Sequence, residues 1–207
     1  MSPRLPIPRA WDTAWEGTPS WETGSSQPVL ERLLAEGVIR GSVLDVGCGS
    51  GRGSVRLAAA GHRVAGIDVA HTAIKRARSN AREALLGDRL TFVVGDALEL
   101  DRYAVALGAP FDTVLDVGLF HVLQPEDRKP YARQLASVVA PGGQAFVVAW
   151  SERNPFGYGP GRIRRGDLRR TFTHATGWRV DTIDEAVLAS RLSPDGAHAW
   201  LLRATRG

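Results

Sequence analysis

The run Val43-Leu44-Asp45-Val46-Gly47-Cys48-Gly49-Ser50-Gly51 constrains this chain more than any other stretch. A short apolar strand runs straight into a glycine turn, and the turn opens a helix-forming segment. Glycines at 47, 49 and 51 let the backbone turn tightly and let a ligand approach where a side chain would block it. A unit of this kind holds a nucleotide-like cofactor.

The rest of the chain repeats the alternation. The spacing predicts a helix from Pro28 to near Gly37, the strand at 43–46, a helix from Ser54 to Ala60 and a strand at 63–67 ended by Asp68. A helix over 70–86, a strand over 90–94 stopped by Gly95-Asp96, a helix over 98–107 and a strand over 111–116 follow. Next come a helix over 126–139 with Pro141-Gly142-Gly143 as its exit, a β-rich strand over 144–150 and a helix over 167–176. Strands at 177–187 and 197–205, joined by the turn Ser193-Pro194-Asp195-Gly196, are expected to pair antiparallel. This order predicts an α/β, doubly wound, Rossmann-like sheet of seven mostly parallel strands with a C-terminal antiparallel hairpin. In such sheets a ligand binds beyond the carboxyl ends of the strands, where strand order reverses.

At 207 residues one domain is expected, with residues 1–28 as an N-terminal helical or loop cap and 29–207 as the core. Hydrophobic residues make up 43% and charged residues 23%, and no apolar run approaches the roughly 18 residues of a membrane span. The proline-broken N-terminus lacks a secretory apolar stretch, so a cytoplasmic protein is expected. Cys48 is the single cysteine, which excludes an internal disulfide, and no metal site is expected. Its expected role is packing beneath the glycine turn. The net charge of +4 raises the question of a nucleic-acid partner, with Arg162, Arg164, Arg165, Arg169 and Arg170 as the one dense basic cluster.

The glycine pattern itself narrows the cofactor. A dinucleotide fingerprint needs G-x-G-x-x-G, but its third glycine falls on Arg52 or Ser54 depending on register, and no lysine stands nearby for a Walker-type loop. Instead Asp45 precedes the turn, Asp68 ends the second strand where a carboxylate can accept ribose hydroxyls, and Asp96 ends the third, placed for an adenine edge. This acidic series suits a cofactor with a cationic amino-acid end, a ribose and an adenine, but no phosphate.

Asp45-Val46-Gly47-Cys48-Gly49-Ser50-Gly51, Gly66-Ile67-Asp68 and Gly95-Asp96-Ala97, in that order at strand ends, resemble the class I S-adenosylmethionine-dependent methyltransferases over roughly residues 38–150. A narrower resemblance spans nearly the whole chain: Trp11-x-x-x-Trp15, Trp21-Glu22-x-Gly24, Gln27-Pro28, the glycine turn and Phe111-Asp112-x-x-x-Asp116 are similar to the thiopurine methyltransferase-like branch. That branch includes halide and thiol methyltransferases and bacterial enzymes acting on small heterocycles. The resemblance implies that S-adenosyl-L-methionine is the cofactor, held by Trp11, Trp15, Trp21, Asp45, Gly47, Gly49, Asp68, Val69, Asp96, Ala97 and Asp116. Without it, tryptophans four apart on one helical face are equally a core cap or a ligand cover. Ser20 is an extra residue between Pro19 and Trp21, where the halide enzymes have Pro-Trp.

For the acceptor, His121 after the fourth strand is the candidate substrate contact or general base, and a histidine bonded to nearby backbone in the following helix is the alternative. Arg162, in Gly159-Pro160-Gly161-Arg162, is the second, suited to an oxygen or carboxylate of a larger acceptor. It stands where the halide enzymes carry an aromatic, which argues against halide transfer. Phe156 and Tyr158 are candidate aromatic walls. The expected activity is methyl transfer to O, S or N of a small aromatic or heterocyclic molecule. A nucleic-acid methyltransferase is the alternative, disfavoured because Asp116-Val117-Gly118-Leu119-Phe120 lacks the (D/N)PP(Y/F) signature; a non-catalytic cofactor-binding subunit is another. Membrane association is not expected.

Overall fold

The computed structural model describes residues 7–155, 161–191 and 193–207. In chain order, α1 (Ile7–Glu16) and α2 (Pro28–Ala35) precede β1 (Val43–Val46), α3 (Arg52–Ala59), β2 (Val64–Asp68), α4 (His71–Glu83), β3 (Leu90–Val94), α5 (Leu100–Leu107) and β4 (Phe111–Val117). Then come α6 (Arg128–Val138), β5 (Val139–Trp150), α7 (Arg165–Thr171), β6 (Trp178–Ser190) and β7 (Ser193–Arg206). The strands form a seven-stranded sheet in the order β3-β2-β1-β4-β5-β7-β6. Strands β1 to β5 run parallel, and β7 pairs antiparallel with both β5 and β6. Strand order reverses between β1 and β4, so the crevice of the doubly wound fold opens at the ends of these two strands.

Every β1 residue is buried, and alternate side chains enter opposite layers. Leu44 and Val46 join Ile67, Leu100, Phe120, Tyr131 and Trp178 on one face, whereas Val43 joins Leu30, Leu33, Leu57, Leu115 and Phe146 on the other. Burial on both faces explains the continuous apolar run at 43–46. Pro28 stands at the start of α2, as the sequence predicts, and suits a first turn whose N–H has no intrahelical partner.

Three boundaries differ from expectation. Strand β5 starts at Val139 and carries Pro141-Gly142-Gly143 as an irregularity between the pairs Phe111↔Val139 and Thr113↔Gln144, so this segment bulges out of a strand instead of ending a helix. The hairpin closes at Ser190↔Ser193, and Ser193-Pro194-Asp195-Gly196 lies inside β7; the Ser193 hydroxyl donates to the Gly196 carbonyl at 2.9 Å and Gly196 takes φ +74°. The helix expected over 167–176 is α7 plus a separate 3-10 turn at His174–Thr176, split where the Thr176 hydroxyl donates to the Thr171 carbonyl. His174 is exposed there.

Candidate active site

The glycine turn is drawn onto β2. The Gly47 and Cys48 N–H groups both donate to the Ile67 carbonyl, and Gly47, Gly49 and Gly51 take φ of +70°, +54° and +72°, a region that side chains rarely adopt. Asp68 ties the turn to the next helix: one carboxylate oxygen accepts the Gly49 N–H at 2.9 Å, and the other accepts the Ala70 N–H at 2.9 Å. Burial raises its pKa, against which the backbone donors act. Val69 lies between these anchors, half-buried.

Asp45 sits beneath the turn, where its Oδ2 accepts the Ser54 hydroxyl at 2.6 Å, and burial pushes its pKa to about 6. Cys48 packs with Ile74, Ala77 and Phe92, and burial pushes its thiol pKa well up, so it is a packing residue. Asp96 is half-buried and its Oδ1 accepts the Leu98 N–H, fixing the turn that holds Ala97. Asp116, expected at the cofactor, lies fully buried beneath the loop after β4. It is 0% exposed and accepts the Leu119 and Phe120 N–H groups and the Tyr131 hydroxyl, the last at 2.7 Å. Its carboxyl therefore shapes the loop after β4 from below, and burial pushes its pKa to about 7.

The tryptophans gather over the turn. Trp15 is 4% exposed, and Trp21 meets both Trp11 and Trp15 edge-on at centroid separations of 5.9 and 6.2 Å. Helix α1 is held by reciprocal end contacts with α4. Asp12 accepts the Thr72 N–H at 2.8 Å in the first turn of α4, while Arg76 donates to the Trp15 and Gly17 carbonyls at the end of α1. The Arg76 guanidinium also lies 5.6 Å from the Trp15 ring centroid. Glu22 ties the following segment to the glycine turn, accepting the Ser50 hydroxyl at 2.5 Å. Gln27 pairs through its side-chain amide with both the N–H and the carbonyl of Ala189 at the sheet edge.

Beyond the exit of β4, His121 is 8% exposed and its Nδ1 accepts the Trp150 N–H at 3.1 Å. Burial pushes its pKa down to about 3, so the ring is neutral with its proton on Nε2. The ring is bonded to backbone, but to strand β5 and not to the following helix as the alternative reading has it. Arg162 turns onto its own loop, donating to the carbonyls of Glu152 and Asn154. Asn154 in turn donates to the Ser151 and His198 carbonyls and accepts the His198 N–H, which pins the loop base to β7. Phe156, Tyr158, Gly159 and Pro160 lie outside the described residues.

Sequence reasoning missed Tyr131, Ser54, Asp12 and Arg76. Only Asp12 carried a signal, an acidic residue beside Trp11 on the same helix. Among the described residues of the turn the donors are N–H groups and hydroxyls, flanked by carboxylates. That set fits a cationic, phosphate-free ligand such as S-adenosylmethionine. A β-carbon at Gly47 would stand 2.7 Å from Leu119 Cδ1, so the cradle admits backbone alone.

A family model described as a methyltransferase domain matches residues 43–143. The 2-heptyl-1-hydroxyquinolin-4(1H)-one methyltransferase of Mycobacteroides abscessus is 33% identical over 172 residues, 82% of this chain and 73% of its own length. A solved structure from work on the conversion of a disulfide bond into a thioacetal group during echinomycin biosynthesis matches with a TM-score of 0.85 and 30% identity over 97% of this chain and 91% of its own. The fold is also that of the Burkholderia thailandensis 1,6-didemethyltoxoflavin N1-methyltransferase, solved with 1,6-didemethyltoxoflavin and S-adenosylhomocysteine bound. That match has a TM-score of 0.68 and 20% identity over 96% of this chain and 83% of its own.

Proposed function

Because the chain belongs to the S-adenosylmethionine-dependent methyltransferases, we propose that it methylates an O, S or N atom of a small aromatic or heterocyclic molecule, and that this atom is anionic or readily ionised near neutral pH. The observation that carries the reading is the state of His121. The one histidine at the exit of β4 has its Nδ1 occupied by the Trp150 N–H and its basicity suppressed by burial. It cannot serve as a strong base; its Nε2–H is a hydrogen-bond donor. An acceptor that sheds its own proton, such as an aromatic N–OH, an acidic phenol or a thiol, matches that chemistry.

S-adenosylmethionine, when bound, supplies a methyl group on a cationic sulfur. In this reading Asp68 takes the ribose hydroxyls, Asp96 and Ala97 the adenine side, and the turn from Gly47 to Gly49 the amino-acid end, with Asp45 and Asp116 shaping the floor. Trp15, buried over the turn, and Trp21 and Trp11 packed edge-on beside it would screen the acceptor space from water, and a weakly polar space of that kind favours a reaction that loses charge. Positioning alone is worth on the order of 7–11 kcal/mol in favourable cases. Arg162 fixes the acceptor-side loop through its backbone. The whole chain acts as one unit, residues 1–28 capping a core of 29–207. The relative from Mycobacteroides abscessus, named for a hydroxyl on the ring nitrogen of a quinolone, supports a bicyclic acceptor of this acidity.

The arginine cluster supports a small acceptor over a nucleic acid. Arg165 lies over the Trp200 ring at 4.2 Å and Arg162 bonds its own loop, so two of its members are engaged by the protein, while Arg170 forms an exposed pair with Asp167. Among the described residues no helix is long and apolar enough to cross a membrane. A methyl-transfer assay over N-hydroxy heteroaromatics, thiophenols, phenols of graded acidity and aliphatic alcohols tests the proposal. Turnover that follows the ionised fraction of the acceptor is expected; preference for the alcohols overturns it.

A further inference from the structure

A cavity lies behind the glycine turn. Its volume is about 570 Å³, and it is bounded by the arm after α1, the start of α3, the outer flank of α4 and the end of β6. None of Asp45, Asp68 and Asp96 lines it, so it is separate from the acidic cofactor cradle. Three arginines line it, Arg52, Arg76 and Arg191, against one acidic residue, Glu22.

That carboxylate does not balance them. Glu22 accepts the Ser50 hydroxyl and the Gly24 N–H, and lies 3.5 Å from Arg52 Nε. Arg76 engages protein carbonyls through Nη2. The Arg191 side chain forms no ion pair among the described residues; its backbone N–H holds the Ser20 carbonyl at 2.8 Å. Three arginines from segments far apart in the chain therefore line one cavity against one carboxylate, an excess of two positive charges that an anion would offset. Guanidinium forks match phosphate oxygens in pairs; of the other lining residues, Asn80 donates to the Ser50 carbonyl and Ser79 to Glu83, so the arginines are the groups offered to a ligand. A cavity within the roughly 300–1,000 Å³ range of small-molecule sites has room for an organic body beyond the phosphate itself.

We propose that this crevice binds a small phosphorylated metabolite, and that its occupation staples the tryptophan arm to the glycine turn. The ligand bridges Arg52 at the turn, Arg76 on the helix that holds the Trp15 carbonyl, and Arg191 on the hairpin that holds Ser20. The site is thus a second, regulatory input to the same lid, without a part in methyl transfer.

Inorganic pyrophosphate is the probe, titrated into the full-length protein by calorimetry at constant ionic strength, with tryptophan fluorescence followed in parallel. Saturable binding is expected, with a fluorescence change that saturates over the same range. Arg191→Ala should weaken it about tenfold or more, since one charge-assisted contact is lost. Arg191 is exposed at a strand end, so this variant folds as wild type, which circular dichroism checks; Arg52→Ala gives an independent second reading. Heat that tracks ionic strength alone, or binding that both variants leave unchanged, overturns the proposal.

Discussion

Trp15 occupies the space that a side chain on Gly49 would need: its Cζ2 atom lies 2.9 Å from where a β-carbon would stand. The arm and the turn are therefore fitted to each other, and the absence of a side chain on Gly49 makes room for the ring. Gly49→Ala places an alanine at φ +54° and pushes the ring away. The backbone cost of about 1–2 kcal/mol should lower the melting temperature by roughly 2–8 °C. Calorimetry should also show weaker S-adenosylmethionine binding in this variant.

Asp68→Ala removes the acceptor of two backbone N–H groups, Gly49 and Ala70, along with the carboxylate proposed for the ribose. Loss of two hydrogen bonds to a charged group should lower cofactor affinity by roughly a hundredfold or more. Asp68→Asn, which keeps one acceptor, should fall between. Wild-type affinity in Asp68→Ala would remove Asp68 from the site.

Arg76→Ala frees the end of α1 and bares one face of Trp15. The expected outcome is a red-shifted tryptophan emission and a KM for the cofactor raised about tenfold, with the core still folded. Asp12→Ala should act in the same direction, and the double variant should fall short of additivity because both contacts hold one helix. Truncation of residues 1–24 should abolish turnover while leaving a folded core; unchanged activity there would refute the lid.

Stability should depend on pH through two opposed sets of groups. Asp116 and Asp45 have folded-state pKa values raised to about 7 and about 6, so their contribution is fully present below the unfolded value near 3.8 and fades as pH rises through these values. His121, depressed to about 3, contributes above its unfolded value of 6.5 and loses that contribution as pH falls. Between pH 4 and 6.5 the two trends offset. Urea midpoints across this window should show Asp116→Asn losing stability on acidification more steeply than wild type, and His121→Gln gaining it. Parallel slopes in all three proteins would refute the assignment.

Local patterns carried much of this molecule. The run 43–51, the acids Asp68 and Asp96 at strand ends and the alternation of elements are short-range features, and each keeps its meaning wherever it folds. The extent of β5 did not show, because Pro141-Gly142-Gly143 reads as a stop, and only the pairing of Val139 with Phe111 carries the strand through it. The same holds for Ser193-Pro194-Asp195-Gly196, which continues a strand because β6 lies alongside.

The sequence by itself determined the order of the sheet elements, the glycine turn, the acidic series and hence the kind of cofactor, since all of these follow from spacing within a few residues. The tertiary structure alone decided what His121, Asp116 and Arg162 do. A histidine becomes a neutral donor when the Trp150 N–H meets its Nδ1 in a dry site, an aspartate becomes a loop support when Tyr131 closes over it, and an arginine turns inward when carbonyls are nearer than solvent. Protonation and hydrogen-bond direction depend on which groups packing brings together, and residue type at a given spacing does not encode that.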